Sequence, residues 1–159
     1  MRIGSSGFRK EPATPFERGL QALAERQYDL AIGLFSAAAG GTDRPAEALS
    51  KRGVCHLRLN DTQAAAADFE AALRADPKHA PALTNLGNLA LEAGRLDEAR
   101  ARYEAAIAAD PDYPLAHHNY AVLLKREGRI GESVRELRRA AKLENGSFWD
   151  FLSGRRRRA

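Results

Sequence analysis

Residues 80–113 read APALTNLGNLALEAGRLDEARARYEAAIAADPDY, and this stretch decides the fold. Leu83, Leu86 and Ala90 recur at helical spacing, and after an interruption Leu96, Ala99, Tyr103 and Ala106 do so again. The interruption is Glu92-Ala93-Gly94-Arg95, a turn signal; Glu127-Gly128-Arg129 repeats it further on. Pro111 and Pro114 punctuate the far end, where a residue without an amide hydrogen cannot continue a helix. Asp97, like Asp29 earlier in the chain, stands where a second helix is expected to begin. A short acceptor there can satisfy an orphan amide and complement the helix dipole. The stretch predicts two amphipathic helices joined by a tight turn.

The same plan extends in both directions. Gly19, Gly53, Gly87 and Ala121 lie 34 residues apart, and three further columns keep that spacing. They are Ala31, Ala65, Ala99 and Ser133; Phe35, Phe69, Tyr103 and Leu137; and Ala38, Ala72, Ala106 and Ala140. Pro45 and Pro77 mark further boundaries between units. The units are 12–45, 46–79, 80–113 and 114–147. A Gly or Ala in the first helix facing an Ala in the second lets the two approach closely, with the large ring or Leu filling the space beside them. One such pair cannot bury its apolar face alone. The pairs must stack, each touching mainly its neighbours, which predicts an all-α solenoid. An unbroken heptad is denied by the Gly and Pro punctuation, so a coiled coil is excluded.

Composition agrees with a folded chain of one domain. Of 159 residues, 44% are hydrophobic and 29% charged, neither the profile of a disordered chain nor that of a membrane protein. No apolar run nears the length that spans a bilayer, and residues 1–10 hold no apolar core of a signal peptide, so the expected compartment is the cytoplasm. Cys55 is the single cysteine, which rules out an internal disulfide and a Cys-based zinc site. The formal charge of +4 belongs to the ends: Arg2, Arg9, Lys10 and Arg155 to Arg158 account for seven of 25 cations. The remaining 18 face all 21 acids, so the body stands at about −3.

The columns resemble the tetratricopeptide repeat (TPR). Residues 80–113 carry its pattern nearly whole, with Leu83, Leu86-Gly87, Gly94, Leu96, Ala99, Tyr103, Ala106 and Pro111. The second unit keeps Gly53, Ala65, Phe69, Ala72 and Pro77; the outer two are more degenerate, with Asp43 and Asn145 where proline is usual. Pentatricopeptide proteins share the plan, but their repeat is typically one residue longer. The resemblance implies a right-handed superhelix whose concave surface is lined by the first helix of each pair, and a non-enzymatic interaction module or scaffold that holds a protein or an extended peptide.

Counted by unit position, the groove-facing side chains are Phe16, Leu20, Lys51, Val54, Thr84, Asn85, Asn88, His118, Asn119 and Val122. Leu91, Lys125 and Arg126 lie toward the edge. The candidate contact set is Lys51, Thr84, Asn85, Asn88, His118, Asn119 and Val122. An amide both donates and accepts, so it can pair with the main chain of an extended peptide whatever its sequence. Asn85 and Asn119 share one unit position and are expected to form a ladder, as in TPR domains that hold peptides by their backbone. The dicarboxylate clamp of chaperone-binding relatives needs Lys, Asn and Arg at set positions. Those positions hold Phe16, Leu20, Lys51, Pro81 and Asn85 in the first three units, and Ser50, Val54, Asn85, Leu115 and Asn119 in the last three. The cationic donors are missing, so chaperone C-terminal acidic tails are disfavoured.

Nothing in the sequence assembles a catalytic or metal constellation. His56, His79, His117 and His118 lie in no metal-binding spacing and read as surface histidines; Cys55 reads as a small buried side chain. No cofactor is expected. Residues 1–11 read as a flexible leader without a role. Residues 148–159 form an aromatic and Arg-rich tail, with Phe148, Trp149, Phe151 and Leu152 before four arginines. It can cap the last helix, or serve as a docking motif. In the second case Trp149, Arg155, Arg156, Arg157 and Arg158 would contact a partner groove, an anionic membrane or nucleic acid. That is the alternative function, a peripheral adaptor acting through the tail.

Overall fold

The structure is a computed structural model; it describes residues 14–41 and 44–152, with side chains up to residue 145. The leader, Arg155 to Arg158 and the side chain of Trp149 lie outside what it describes. Eight helices follow in order: α1 Pro15–Ala24, α2 Tyr28–Ala39, α3 Pro45–Arg58, α4 Thr62–Ala75, α5 Ala80–Glu92, α6 Leu96–Ala109, α7 Pro114–Arg126 and α8 Ile130–Leu152. Among the described residues there is no strand. Each helix packs against the one before and the one after it, the pattern of an α-solenoid of helix pairs.

Local chemistry sets the boundaries. Thr14 and Glu17 form a reciprocal cap on α1: the Thr14 amide donates to Glu17 Oε2 at 2.8 Å and the Glu17 amide to Thr14 Oγ1 at 3.2 Å. Proline occupies the first turn of α1, α3, α5 and α7, where its missing amide costs nothing. Asp29 and Asp97 differ from expectation: α2 and α6 start after Gln27 and Arg95, so both aspartates sit inside the first turn and cap nothing. They still complement the dipole. Of the second helices α2, α4 and α6, it is α4 that has a side-chain cap, where Asp61 accepts from the Ala64 amide at 2.9 Å.

The turn within each unit is built the same way four times. Arg26, Asn60, Gly94 and Gly128, again 34 apart, all have φ between +61° and +75°. The next residue then donates back across the turn: Gln27 to Ala22 O, Asp61 to His56 O, Arg95 to Ala90 O and Arg129 to Leu124 O, at 2.8 to 2.9 Å. The left-handed conformation suits glycine, and asparagine nearly as well; Arg26 adopts it at a steric cost that its place in the repeat imposes.

The core runs along the axis as the columns require. Ala31, Ala65 and Ala99 are fully buried, as are Phe35, Phe69 and Tyr103. The close approach is between glycine and ring. A Cβ built on Gly19, Gly53 or Gly87 would lie 2.8, 2.7 or 2.6 Å from the nearest carbon of Phe35, Phe69 or Tyr103. The fourth unit pairs Ala121 with the smaller Leu137, which is 40% exposed; among the described residues no helix covers it.

Candidate functional site

The first helices of the third and fourth units meet directly. Asn119 Nδ2 on α7 donates to Asn88 Oδ1 on α5 at 2.9 Å, and Arg126 Nη1 donates to the Leu91 carbonyl at 3.0 Å. The backbones of α5 and α7 also come together, whereas α4 and α6 reach each other through a long side chain, Arg102 to Glu70 at 2.9 Å. Between these two units the first helices therefore come close on one side of the stack.

On this surface Asn88 is the hub. Its Oδ1 accepts from Asn119 and also from the hydroxyl of Tyr103, at 2.7 Å. Tyr103 is fully buried, and burial pushes its phenol up to about 12, so it stays a donor at every physiological pH. With Asn88 Oδ1 doubly occupied and one Asn119 proton spent, the Asn88 amide protons and the Asn119 carbonyl remain unspent among the described residues. Asn85, one turn before Asn88, is half-buried. The bond observed is a diagonal one, Asn119 to Asn88, rather than one between Asn119 and its column mate Asn85.

Apolar side chains flank the amides. Val122 is 44% exposed, Leu20 37% and Leu115 51%, while Val54, Leu91 and Lys51 are half-buried. His118, Lys125 and Arg126 are exposed. Two sequence-derived members do not belong. Thr84 is 2% exposed, and its hydroxyl has no hydrogen-bond partner among the described residues, so it is floor rather than contact surface. Phe16 is buried edge-on against Phe35, with ring centroids 5.7 Å apart. Helical periodicity places both on the groove side of their helices, but both are buried.

Polar groups that the sequence reading left on the surface are also buried. His117 is 5% exposed; its Nδ1 lies 2.6 Å from Glu136 Oε2 and its Nε2 2.9 Å from the Pro111 carbonyl. It stands in the column of Leu83, and Glu136 supplies the partner that this burial requires. His79 is half-buried, with Nε2 unpartnered among the described residues, and burial holds its imidazole below the ordinary value. Asp68, 5% exposed, receives two bonds from Arg52, at 2.5 and 2.8 Å; Arg52 also donates to Ser36 at 2.9 Å, tying α2, α3 and α4 together. Only the pairing of Arg52 with Asp68, 16 residues apart, could have signalled this. Cys55 is fully buried, and desolvation pushes its thiol up to about 11. Among the described residues no group of His, Cys, Asp and Glu is placed to hold a metal ion, and no helix is long and apolar enough to cross a membrane.

Two family models match the chain, both described as tetratricopeptide repeat, over residues 44–105 and 84–148. No curated protein matches it. Solved structures share the fold. A crystal structure of MamA superposes with a TM-score of 0.66 at 21% identity, covering 84% of this chain and 78% of that one. A second MamA structure gives 0.64 at 21% identity, covering 82% and 72%. The first TPR of Spaghetti (RPAP3), bound to the HSP90 peptide SRMEEVD, gives 0.62 at 18% identity, covering 72% of this chain and 90% of that one. The family matches together span more than half of the chain, and they fall on the helix pairs, the glycine-to-ring contacts and the repeated left-handed turns. The chain belongs to the tetratricopeptide repeat family, a family of protein–protein interaction modules.

Proposed function

We propose that the chain is a non-enzymatic interaction module that holds an extended peptide or protein segment on the inner surface formed by α1, α3, α5 and α7. The observation that carries this reading is the Asn88–Asn119–Tyr103 cluster. It fixes two amides in place and leaves one set of donors and one acceptor unspent, the complement a peptide main chain needs. Asn85 adds a third amide. Leu20, Leu115 and Val122 offer apolar contact on either side, and Lys51, His118, Lys125 and Arg126 give the rim a basic character. Because the amides are held before the ligand arrives, little side-chain entropy is lost on binding.

The neighbour that holds an HSP90 peptide does not transfer its ligand to this groove. An acidic C-terminus needs cationic donors converging on its carboxylates, and Phe16, Leu20 and Pro81 stand at three of the five clamp positions. Phe16 is packed into the core.

The test is selection of peptides from a random display library on the full chain, followed by affinities for the Asn85→Ala/Asn119→Ala variant. Two lost hydrogen bonds should weaken binding about tenfold or more, with thermal unfolding little changed. Unaltered affinity in a folded double variant would remove the amides from the site.

A further inference from the structure

In every inner unit the second helix is covered by the first helix of the next unit. Phe69 and Leu73 of α4 pack with Ala82, Leu86 and Leu89 of α5, and Leu96 and Tyr103 of α6 pack with Leu123 of α7. In α8 the residues 34 positions after Leu96, Arg100, Tyr103 and Ile107 are Ile130, Val134, Leu137 and Ala141. Nothing among the described residues covers them: Ile130 is 54% exposed, Val134 and Leu137 each 40%, and Ala141 is exposed. Spaced at four, three and four residues, they form one apolar stripe along α8. A cation directly follows each of the last three: Arg135, Arg138 and Lys142, all exposed, so one flank of the stripe is basic. Arg135 reaches Glu132 only at 3.9 Å, and neither Arg138 nor Lys142 has an ion-pair partner among the described residues.

We propose that this face of α8 seats the protein on an anionic membrane surface. Apolar side chains backed by a row of cations suit the boundary between acyl chains and acidic headgroups: the stripe enters and the cations stay at headgroup level. Length favours a surface over a partner helix. α8 has 23 residues and runs about 34 Å at the usual rise, whereas the first helices of this chain have 10 to 14 residues. A helix of that size spans at most about three fifths of α8.

A second copy fits less well. Stacking head to tail would place α1 on α8, but α1 turns Thr14, Arg18 and Gln21 outward, all exposed, where α5 has Ala82, Leu86 and Leu89. Two α8 helices packed antiparallel about a two-fold axis would set the basic flank against itself. Nucleic acid would use the cations and leave the stripe in water.

The test is co-sedimentation of the full chain with vesicles of phosphatidylcholine alone or with about 30% phosphatidylglycerol. The chain should pellet with the anionic vesicles only, and less as salt rises to physiological strength. Val134→Ser/Leu137→Ser should weaken pelleting roughly tenfold. Arg138→Gln/Lys142→Gln should weaken it and flatten the salt dependence. All four positions are exposed, so both variants should keep the parent's unfolding transition. Absence of pelleting, or pelleting indifferent to the serine variant, overturns the proposal. So does a concentration-dependent dimer, seen by light scattering, that the serine variant dissolves, because a second copy would then cover the face.

Discussion

Replacing Gly53 by alanine sets two quantities against each other. In the middle of a helix alanine is favoured over glycine by about 1 kcal/mol. The added Cβ, however, would lie 2.7 Å from Phe69 Cε1 and 3.0 Å from both Cδ1 and Cζ, where carbon pairs are most stable at about 3.5–4.0 Å. Phe69 is fully buried and cannot swing toward water; it can only push on the second helix and the unit beyond. Overpacking of this kind costs about 1–3 kcal/mol. The net expectation is a loss of up to about 2 kcal/mol, and Gly33 separates the two terms. It lies within α2 with nothing inside 4 Å of a built Cβ, so Gly33→Ala should gain nearly the full propensity term. The two variants should therefore differ by about 1–3 kcal/mol, and that difference is the clash itself.

Urea unfolding followed by circular dichroism measures both, with the slope checked for constancy. A third variant makes the reasoning stricter. The fourth unit carries Ala121 opposite Leu137 where the others carry glycine opposite a ring, so Gly53→Ala/Phe69→Leu should be less destabilised than the sum of its single changes. Equal stabilities for Gly33→Ala and Gly53→Ala would refute the packing account, and so would strict additivity in the double variant.

The remaining predictions follow from buried polar groups. With its thiol pushed up to about 11 and no exposure, Cys55 should react with a disulfide reagent at pH 8 only as fast as the protein opens, and at full speed in denaturant. Asp68→Ala strips Arg52 of its carboxylate and should cost about 2–3 kcal/mol. That is less than for a fully enclosed pair, since Arg52 keeps a quarter of its exposure; Arg52→Leu/Asp68→Leu should recover much of the loss in denaturant unfolding. Burial holds the His79 imidazole below its ordinary 6.5, so the unfolded chain takes up that proton at higher pH than the folded one. His79 therefore adds stability fully above about 6.5 and loses it as the pH falls toward the folded value; melting curves of His79→Gln should be flatter across that range.

The repeat was legible because it rests on residues whose size alone matters. Glycine at 19, 53 and 87 and a ring sixteen residues later declare a close helix pair, and the count of 34 does the rest. What stayed hidden depends on contacts beyond a residue's own helix. Thr84 sits on the groove side of α5 by periodicity, yet it is buried, and no spacing within α5 announces that. His117 reads as surface because histidine usually is; its burial depends on Glu136, which belongs to another helix. The amides were visible, but the choice of Asn88 as hub depends on the hydroxyl of Tyr103 reaching it from α6. Likewise the left-handed turns at Arg26 and Asn60 carry no glycine and are revealed by register with Gly94 and Gly128.

The fourth unit shows how a degenerate repeat keeps the architecture. Its departures from the third come in matched pairs: alanine for Gly87 with leucine for Tyr103, and histidine for Leu83 with glutamate for Arg102. In the first pair a larger first-helix residue meets a smaller second-helix one, so the helices still approach. In the second, a polar group enters a buried column together with the partner that satisfies it. Ser133, replacing the alanine of the other units, donates to the Ala121 carbonyl at 2.8 Å and is satisfied in the same way. Each departure is compensated across the contact between α7 and α8, inside the unit. The exposed stripe of α8 has no such counterpart among the described residues. An apolar face left open where every internal equivalent is covered is a surface with something still to meet.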